Sequence, residues 1–375
     1  MTSQIKNCPL CGSQNGLTMI ELMIAMLLGL VLMGGVVQIF VGTKQSYNLQ
    51  EAQSRLQENG RLAMHFLPHD IRLADFQGCR SRQQYTINPI IANPNVPSPS
   101  PPPVIDPLDP KSIWNQNGGI RGFNNVVAGT PDPVTGLPVV ARGATVASLS
   151  IIAGTDIINL QFAGSCAGHL VENMTANNAN IQIDANNTCG LSADRPNLTP
   201  NWPYFISDCV DTDIFRAGVD PVLPPGWVTH AIADNNSSGS LKKAYGTDAE
   251  IFSLQSITYF IAQNTIGNTS SLYRRDNATG TSEEVVEGVE DMQILYGEDI
   301  NGDNTANYYV SAANVVAMQN VVSVKVTLLT RSLSDVNVTS QPVTYTYNGG
   351  LPTTAADRQL RKVFTSTVTL RNRLP

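Results

Sequence analysis

From Leu17 to Val41 the sequence runs for 25 residues with only Thr18, Glu21 and Gln38 polar among them. About 20 apolar residues are enough to cross a bilayer as an α-helix. The run therefore sets the architecture: one end of the chain belongs in hydrocarbon, and the rest must fold beside it. One carboxylate, Glu21, sits near the start of the run. A charge placed there is costly unless it meets a partner, so Glu21 reads as functional.

The 16 residues ahead of the run are polar and end in Gly16. A secretory signal has a shorter apolar region, about 7–15 residues, followed by a small-residue cleavage site. Here the run is longer, no Ala-x-Ala pattern follows it, and the small residue precedes it. A short polar leader, a glycine, an apolar helix and a glutamate at the fifth place after the glycine together resemble a type IV prepilin. The resemblance implies that a prepilin peptidase cuts between Gly16 and Leu17 on the cytoplasmic side and that Leu17 becomes N-methylated. The helix would stay with the product. Leu17 departs from the Phe with which many pilins begin.

The resemblance extends to both ends of the chain. TKQSYNLQEAQSRLQENGRLAMHFLPHDIRLADFQGC follows the run, and VEGVEDMQILYGEDINGD, VVSVKVTLLTRS and RQLRKVFTSTVTLRNRLP lie near the C-terminus. These segments are similar to minor pilins of the PilW family. The middle, from about residue 88 to 248, is much less family-like. The family implies a minor pilin that helps prime pilus assembly, with other minor pilins, a tip adhesin and the major pilin as partners. It places the uncut protein in the inner membrane with a periplasmic head, and the assembled protein at the pilus tip. The related alternative is a type II secretion pseudopilin of the GspJ kind, which shares the N-terminal logic. A membrane-anchored binding domain unrelated to filaments is the alternative of a different class.

The expected layout is a leader at 1–16, a membrane or filament-core helix at 17–42, an amphipathic continuation at 43–76 and a β-rich head at 77–375. In the continuation Tyr47, Leu49, Ala52, Leu56, Ala63, Phe66 and Leu67 fall roughly at helical spacings among polar residues. Pro68 is expected to kink or end this helix about one turn early. The stretch 93–110 carries eight prolines and reads as a stiff extended loop. Strands are expected at 156–162, 204–207, 250–261, 271–276, 286–297, 321–330 and 362–372, with a hairpin over 271–288 and a short helix at 312–319. Val322, Val324, Val326 and Leu328 alternate with Ser323, Lys325 and Thr327, as a half-buried strand requires. A long N-terminal helix packed on an antiparallel sheet with long loops is an α+β, pilin-like fold.

Net charge is −7 and charged residues make up only 14% of the chain, so no general attraction to nucleic acid or anionic lipid is expected. Cys8 and Cys11 form a C-x-x-C within the leader, without the two further ligands a zinc site needs. Cys79, Cys166, Cys189 and Cys209 lie in the part expected to be exported, and four cysteines in an oxidising compartment imply two disulfides. Of the three possible connectivities, Cys166–Cys189 with Cys79–Cys209 is the expected one.

Catalytic patterns fail on inspection. His65 and His69 are four apart, but Phe66 stands where a metalloprotease needs Glu, and Pro68 intervenes. Gly164 to His169 imitates a cysteine nucleophile elbow without a following helix, and Ser240 with Lys243 forms an isolated Ser-x-x-Lys. No enzymatic activity is expected. The best binding pattern is Asp299, Asn301, Asp303, Thr305 and Asn307, alternating oxygen ligands of the kind calcium takes. Its glycine stands at position 4 rather than 6, and Val310 occupies the place of the closing glutamate, which Glu298 would have to supply from outside. The competing reading is an Asn/Asp/Gly surface turn. Arg358, Arg361, Lys362, Arg371 and Arg373 are the one basic concentration, expected to be a solvated or subunit-facing patch.

Overall fold

The computed structural model describes residue 16 and residues 18–78, 87–90, 119–124, 145–146, 149–164, 168–184, 203–218, 226–234, 236–264, 269–333, 344–347, 350–355 and 357–374. One helix, α1 (Met19–Leu73, 55 residues), takes up the N-terminal part. At 1.5 Å per residue it is about 83 Å long. Pro68 lies inside it and does not end it, so of the two expected effects, kink or end, the early end does not occur. Proline removes one backbone donor. That loss is outweighed because Leu67, Pro68, Asp70 and Ile71 are all buried against the head, and tertiary burial supplies most helical stability in a folded protein.

The strands that matter for the helix are β1 (Ile120–Phe123), β2 (Ile157–Ala163), β3 (Pro203–Ser207), β4 (Thr212–Arg216), β5 (Glu250–Gln263), β6 (Ser270–Asp276), β7 (Ser282–Glu287), β8 (Val289–Glu298), β9 (Tyr308–Val310), β10 (Val321–Arg331) and β11 (Arg361–Thr369). They form two main sheets rather than one. The larger has the order β4-β3-β5-β6-β7, with β2 also on β5 and β1 on β2; the smaller has the order β9-β8-β10-β11. These pairings are antiparallel, and the one parallel pair among the described residues joins 87–89 to 212–214.

The expected single strand 286–297 is two strands, because Gly288 breaks it. Gly288 has φ +78°, and a Cβ there would stand 2.7 Å from the Arg331 carbonyl oxygen. Its N–H donates to Ser270 and its carbonyl accepts from Arg331, so this residue hands the chain from the larger sheet to the smaller. Only glycine meets that geometry without strain. The hairpin β6–β7 turns over 276–280 as expected. The expected helix at 312–319 is instead two 3₁₀ turns, Ala312–Asn314 and Met318–Asn320, with Val315 extended between them. The Val315–Val316 pair disfavours helix. The last expected strand stops at Thr369, and Arg371–Arg373 forms a 3₁₀ turn.

Two large apolar clusters follow from this arrangement, beside a small third of Phe123, Ile157, Phe260, Ala262 and Tyr273. The first joins Ala63, Leu67 and Ile71 of α1 to Leu160, Tyr259, Ile294, Val326 and Val368 of both sheets. The second lies away from the helix and gathers Phe205, Phe215, Val228, Tyr245, Ile251 and Leu254. β5 spans both: Ile251 and Leu254 serve the distal cluster, and Ile257, Tyr259 and Ile261 serve the one beneath the helix.

Candidate functional site: the anchor helix and its foot

The helix begins with its own cap. Thr18 is the N-cap, and its hydroxyl accepts from the Glu21 N–H at 3.4 Å. The same hydroxyl donates to the Glu21 carboxylate at 3.5 Å. This is a Thr-x-x-Glu arrangement in the first turn, where a carboxylate also meets the positive end of the helix dipole. Gly16 is exposed, and Leu17 lies outside the described residues.

Among the described residues nothing in the head covers the apolar half. Every described residue from Thr18 to Val41 is exposed, with Met19 at 88% and Leu30 at 76%. The run is long and apolar enough to cross a membrane, with no part of it buried in the protein. An apolar surface of this extent requires lipid or other helices around it. The first fully buried residue is Leu56. Between Val41 and Leu56 the helix is mostly polar and exposed. It therefore holds the head about 20 Å beyond the apolar run.

The far half of the helix is fixed to the head by close packing and by three polar ties. Gly60 lies on the Phe364 ring of β11, so close that a Cβ would stand 2.1 Å from it. Asn59, one residue earlier, donates to the Glu287 carbonyl of β7 at 2.9 Å. Asp70 is buried and accepts from the Tyr259 hydroxyl at 2.8 Å and from Arg274 Nε at 2.9 Å. Burial together with the Asp70 charge pushes the Tyr259 hydroxyl well above the ordinary tyrosine value. Burial pulls the Arg274 guanidinium down, but Asp70 and Tyr259 leave it raised.

At the foot of the helix Asp75 adopts φ +63° and is 1% exposed. Its carboxylate accepts from the Gly119 N–H and from Arg373 Nε. Arg373 is 2% exposed and donates also to the carbonyls of Met318 and Val321. Asn372 donates to the carbonyls of Arg72 and Ala74 at 3.0 and 3.1 Å, closing the helix end. The C-terminal turn thus binds the helix foot to both sheets.

The basic group expected to be a patch is therefore divided. Arg373 is buried as described. The Arg361 side chain is 5% exposed, held by Glu290 and Asp357 and stacked 5.3 Å from the Tyr345 ring centroid. Only Arg358, Lys362 and Arg371 are exposed. Two acids and a buried carboxylate lie within reach of those arginines, and a buried guanidinium persists only when so paired.

In the Asp299 loop, oxygen atoms accept from the loop's own donors. The Asp299 carboxylate takes the N–H groups of Asn301, Gly302 and Asn304. Asp303 takes Asn301 Nδ2 and the N–H and hydroxyl of Thr305, which hold its carboxyl below the usual range. Asn307 Oδ1 takes the Ile300 N–H. Glu298 is fully buried and accepts from Tyr308, Val316 and Ala317. These hydrogen bonds hold the loop as an Asx-type turn. Among the described residues no group of three or more His, Cys, Asp or Glu is placed to hold a metal.

His65 and His69 are exposed on the helix, the latter 3.1 Å from Asp70. Lys242 and Lys243 pair with Asp211 and Asp208, so the Ser-x-x-Lys is a salt-bridged turn. Cys209 is disulfide-bonded. Cys8, Cys11, Cys79, Cys166 and Cys189, the proline-rich loop and the centre of the nucleophile-elbow pattern lie outside the described residues. Of the functional residues the sequence pointed to, Glu21 is placed at an exposed helix start. Thr18 was missed, although its spacing to Glu21 is a readable signal. Asp70, Asp75 and Asn372 carried none, and Arg373 read only as one of the basic group.

Two family models match the chain. Residues 11–37 match the prokaryotic N-terminal methylation motif, and residues 258–372 match the type IV pilus-assembly protein W model. The second match makes residues 258–372 similar to the PilW family. The first match covers the end of the expected leader and most of the apolar half of α1. The second runs from within β5 through β6 to β11 and stops at Asn372, one residue before the buried Arg373. It takes in the sheet strands beneath the helix and leaves out most of the distal cluster. No curated protein and no solved structure matches the chain. Together the two matches support a type IV pilus-related minor pilin whose N-terminal helix carries the prepilin motif. Pilin-family domains are structural components rather than enzymes.

Proposed function

We propose that this protein is a non-enzymatic minor pilin that primes type IV pilus assembly within a small complex of minor pilins beneath a tip adhesin. The observation that carries the proposal is the apolar half of α1, which begins at a capped glutamate and touches nothing in its own head. Such a helix needs neighbours, first lipid and then other pilin helices. The prepilin peptidase cuts after Gly16, and the new amine of Leu17 is a cation in or near hydrocarbon. Glu21 of an incoming subunit offers the opposite charge. A pair in low dielectric is far better than either charge alone, so the pairing sets axial register as helices pack. The bulky head suits a tip position, because it fits poorly in a helical shaft. Twitching motility and adhesion are the functions such a complex serves.

The direct test is the mass of the N-terminal peptide after expression with and without a prepilin peptidase. The expected result is an N-methylated Leu17 terminus only when the peptidase is present. An uncut chain in both samples would refute the filament mechanism. Gly16→Asp is expected to block the cut. Glu21→Ala is expected to be cut normally but to fail in pilus incorporation, measured by its recovery in sheared pili.

A further inference from the structure

Two edge strands flank α1, and they carry opposite charge. β7 ends the larger sheet and β11 ends the smaller. Glu283 and Glu284 are exposed on β7, while Lys362 is exposed on β11 with Arg358 just before it and Arg371 just after. Among the described residues β7 has no exposed base and β11 no exposed acid. The helix touches both edges within one turn, through Asn59 on the Glu287 carbonyl and through Gly60 on Phe364. Consecutive helical residues point about 100° apart, so the edges lie to different sides of the same helix.

An edge strand offers unpaired N–H and C=O groups to another chain, and charged side chains are the usual means of blocking that. Here the block is selective. Like edges repel, whereas the acidic edge of one molecule and the basic edge of another attract. We infer that neighbouring copies of this chain join edge to edge, β7 of one along β11 of the next. Backbone pairing supplies the attachment, and the charges choose partner and register. Because each copy presents both edges, the contact is heterologous and can repeat. The inference rests on the pilin reading in one respect: copies anchored by parallel helices in one membrane, before assembly, hold their heads on the same side of it, which lets the two edges meet.

The test uses the full chain in bilayers. Unlabelled and heavy-nitrogen copies are co-reconstituted and treated with a zero-length carbodiimide, which joins an amine to an adjacent carboxylate. The expected product is a mixed-isotope link between Lys362 and Glu283 or Glu284, reduced several-fold by Lys362→Gln or by high salt. Two charge-reversed copies sharpen the test, one carrying Lys362→Glu and the other Glu283→Lys with Glu284→Lys. Each alone is expected to give no mixed-isotope dimer, and together they should regain it. All these positions are exposed, and an unchanged melting curve checks the fold. Absence of mixed links, or links that survive both charge changes, would overturn the inference. So would links that form only when a different pilin is added. Leader cutting is read on the same protein: an uncut leader counts against the pilin reading, and the cross-link still decides the edge pairing.

Discussion

At the scale of residues, the foot of the helix is the most sensitive point. Asp75 and Arg373 are both buried, so removing one takes away the opposite charge that faces the other inside the fold. Arg373→Met is expected to cost about 3–5 kcal/mol, and Asp75→Asn a similar amount. The double variant should lose less than the two singles together. Urea melts of the full chain in detergent would check this, and strict additivity would show that the two groups act separately. Gly60 is the second such residue. A methyl there overlaps the Phe364 ring, so Gly60→Ala should cost about 1–3 kcal/mol as overpacking does. Phe364→Ala in the same chain should recover part of that loss. Neither effect is visible in the sequence, where Gly60 reads only as a poor helix former and Arg373 as one member of a basic run.

At the scale of elements, the strands were legible because their apolar positions alternate, and most boundaries fall within two residues of expectation. The failures are the places where one residue redirects the chain. Gly288 splits a strand because the chain must change sheets there, and Val315 with Val316 prevents a helix from forming at 312–319. The Asp299 loop had the right residue types for calcium. The structure shows those oxygens engaged by the loop's own N–H groups. Calcium or a chelator is therefore expected to leave the melting temperature unchanged, and an upward shift with calcium would mean that an ion replaces those hydrogen bonds. The turn joining β3 to β4 holds Cys209 at φ +67°. Gly78 lies against Ser207 beside this turn. We propose that Cys79 is the partner of Cys209, tying the chain after the helix to the sheet. Peptide mapping of the unreduced protein would test it, and a Cys209 peptide linked to Cys166 or Cys189 would refute it.

At the scale of the whole molecule, pH stability follows from buried groups spread over both clusters. Burial pushes the hydroxyls of Tyr204, Tyr245, Tyr259, Tyr296 and Tyr347 well above the ordinary value. A group raised in the folded state contributes stability below its unfolded value and loses it as pH rises. The melting temperature should therefore fall as pH climbs beyond about 10. On the acid side the Arg361 guanidinium holds Asp357 below the usual range. Burial opposes the same effect at Asp208, but Lys243 and the turn's N–H groups prevail. Their contribution should be present above pH of about 4 and be lost as pH falls further. Melts across the full range would check both limbs, and a flat profile above pH 10 would show that those tyrosines are not held neutral by the fold.

The sequence by itself determined the apolar helix and marked the expected cut and pairing glutamate, because membrane crossing depends on a contiguous run and processing on adjacent residues. It also determined the strands with alternating apolar positions, since alternation is local, but not β1, β4 or β9. The tertiary structure decided how the anchor is held. Tyr259 and Arg274 reach Asp70 across 189 and 204 residues of chain, and Arg373 reaches Asp75 across 298. Such pairs have no period and no fixed spacing. They exist only because two sheets converge on the end of one helix, where a buried charge must find a partner or neither can be buried.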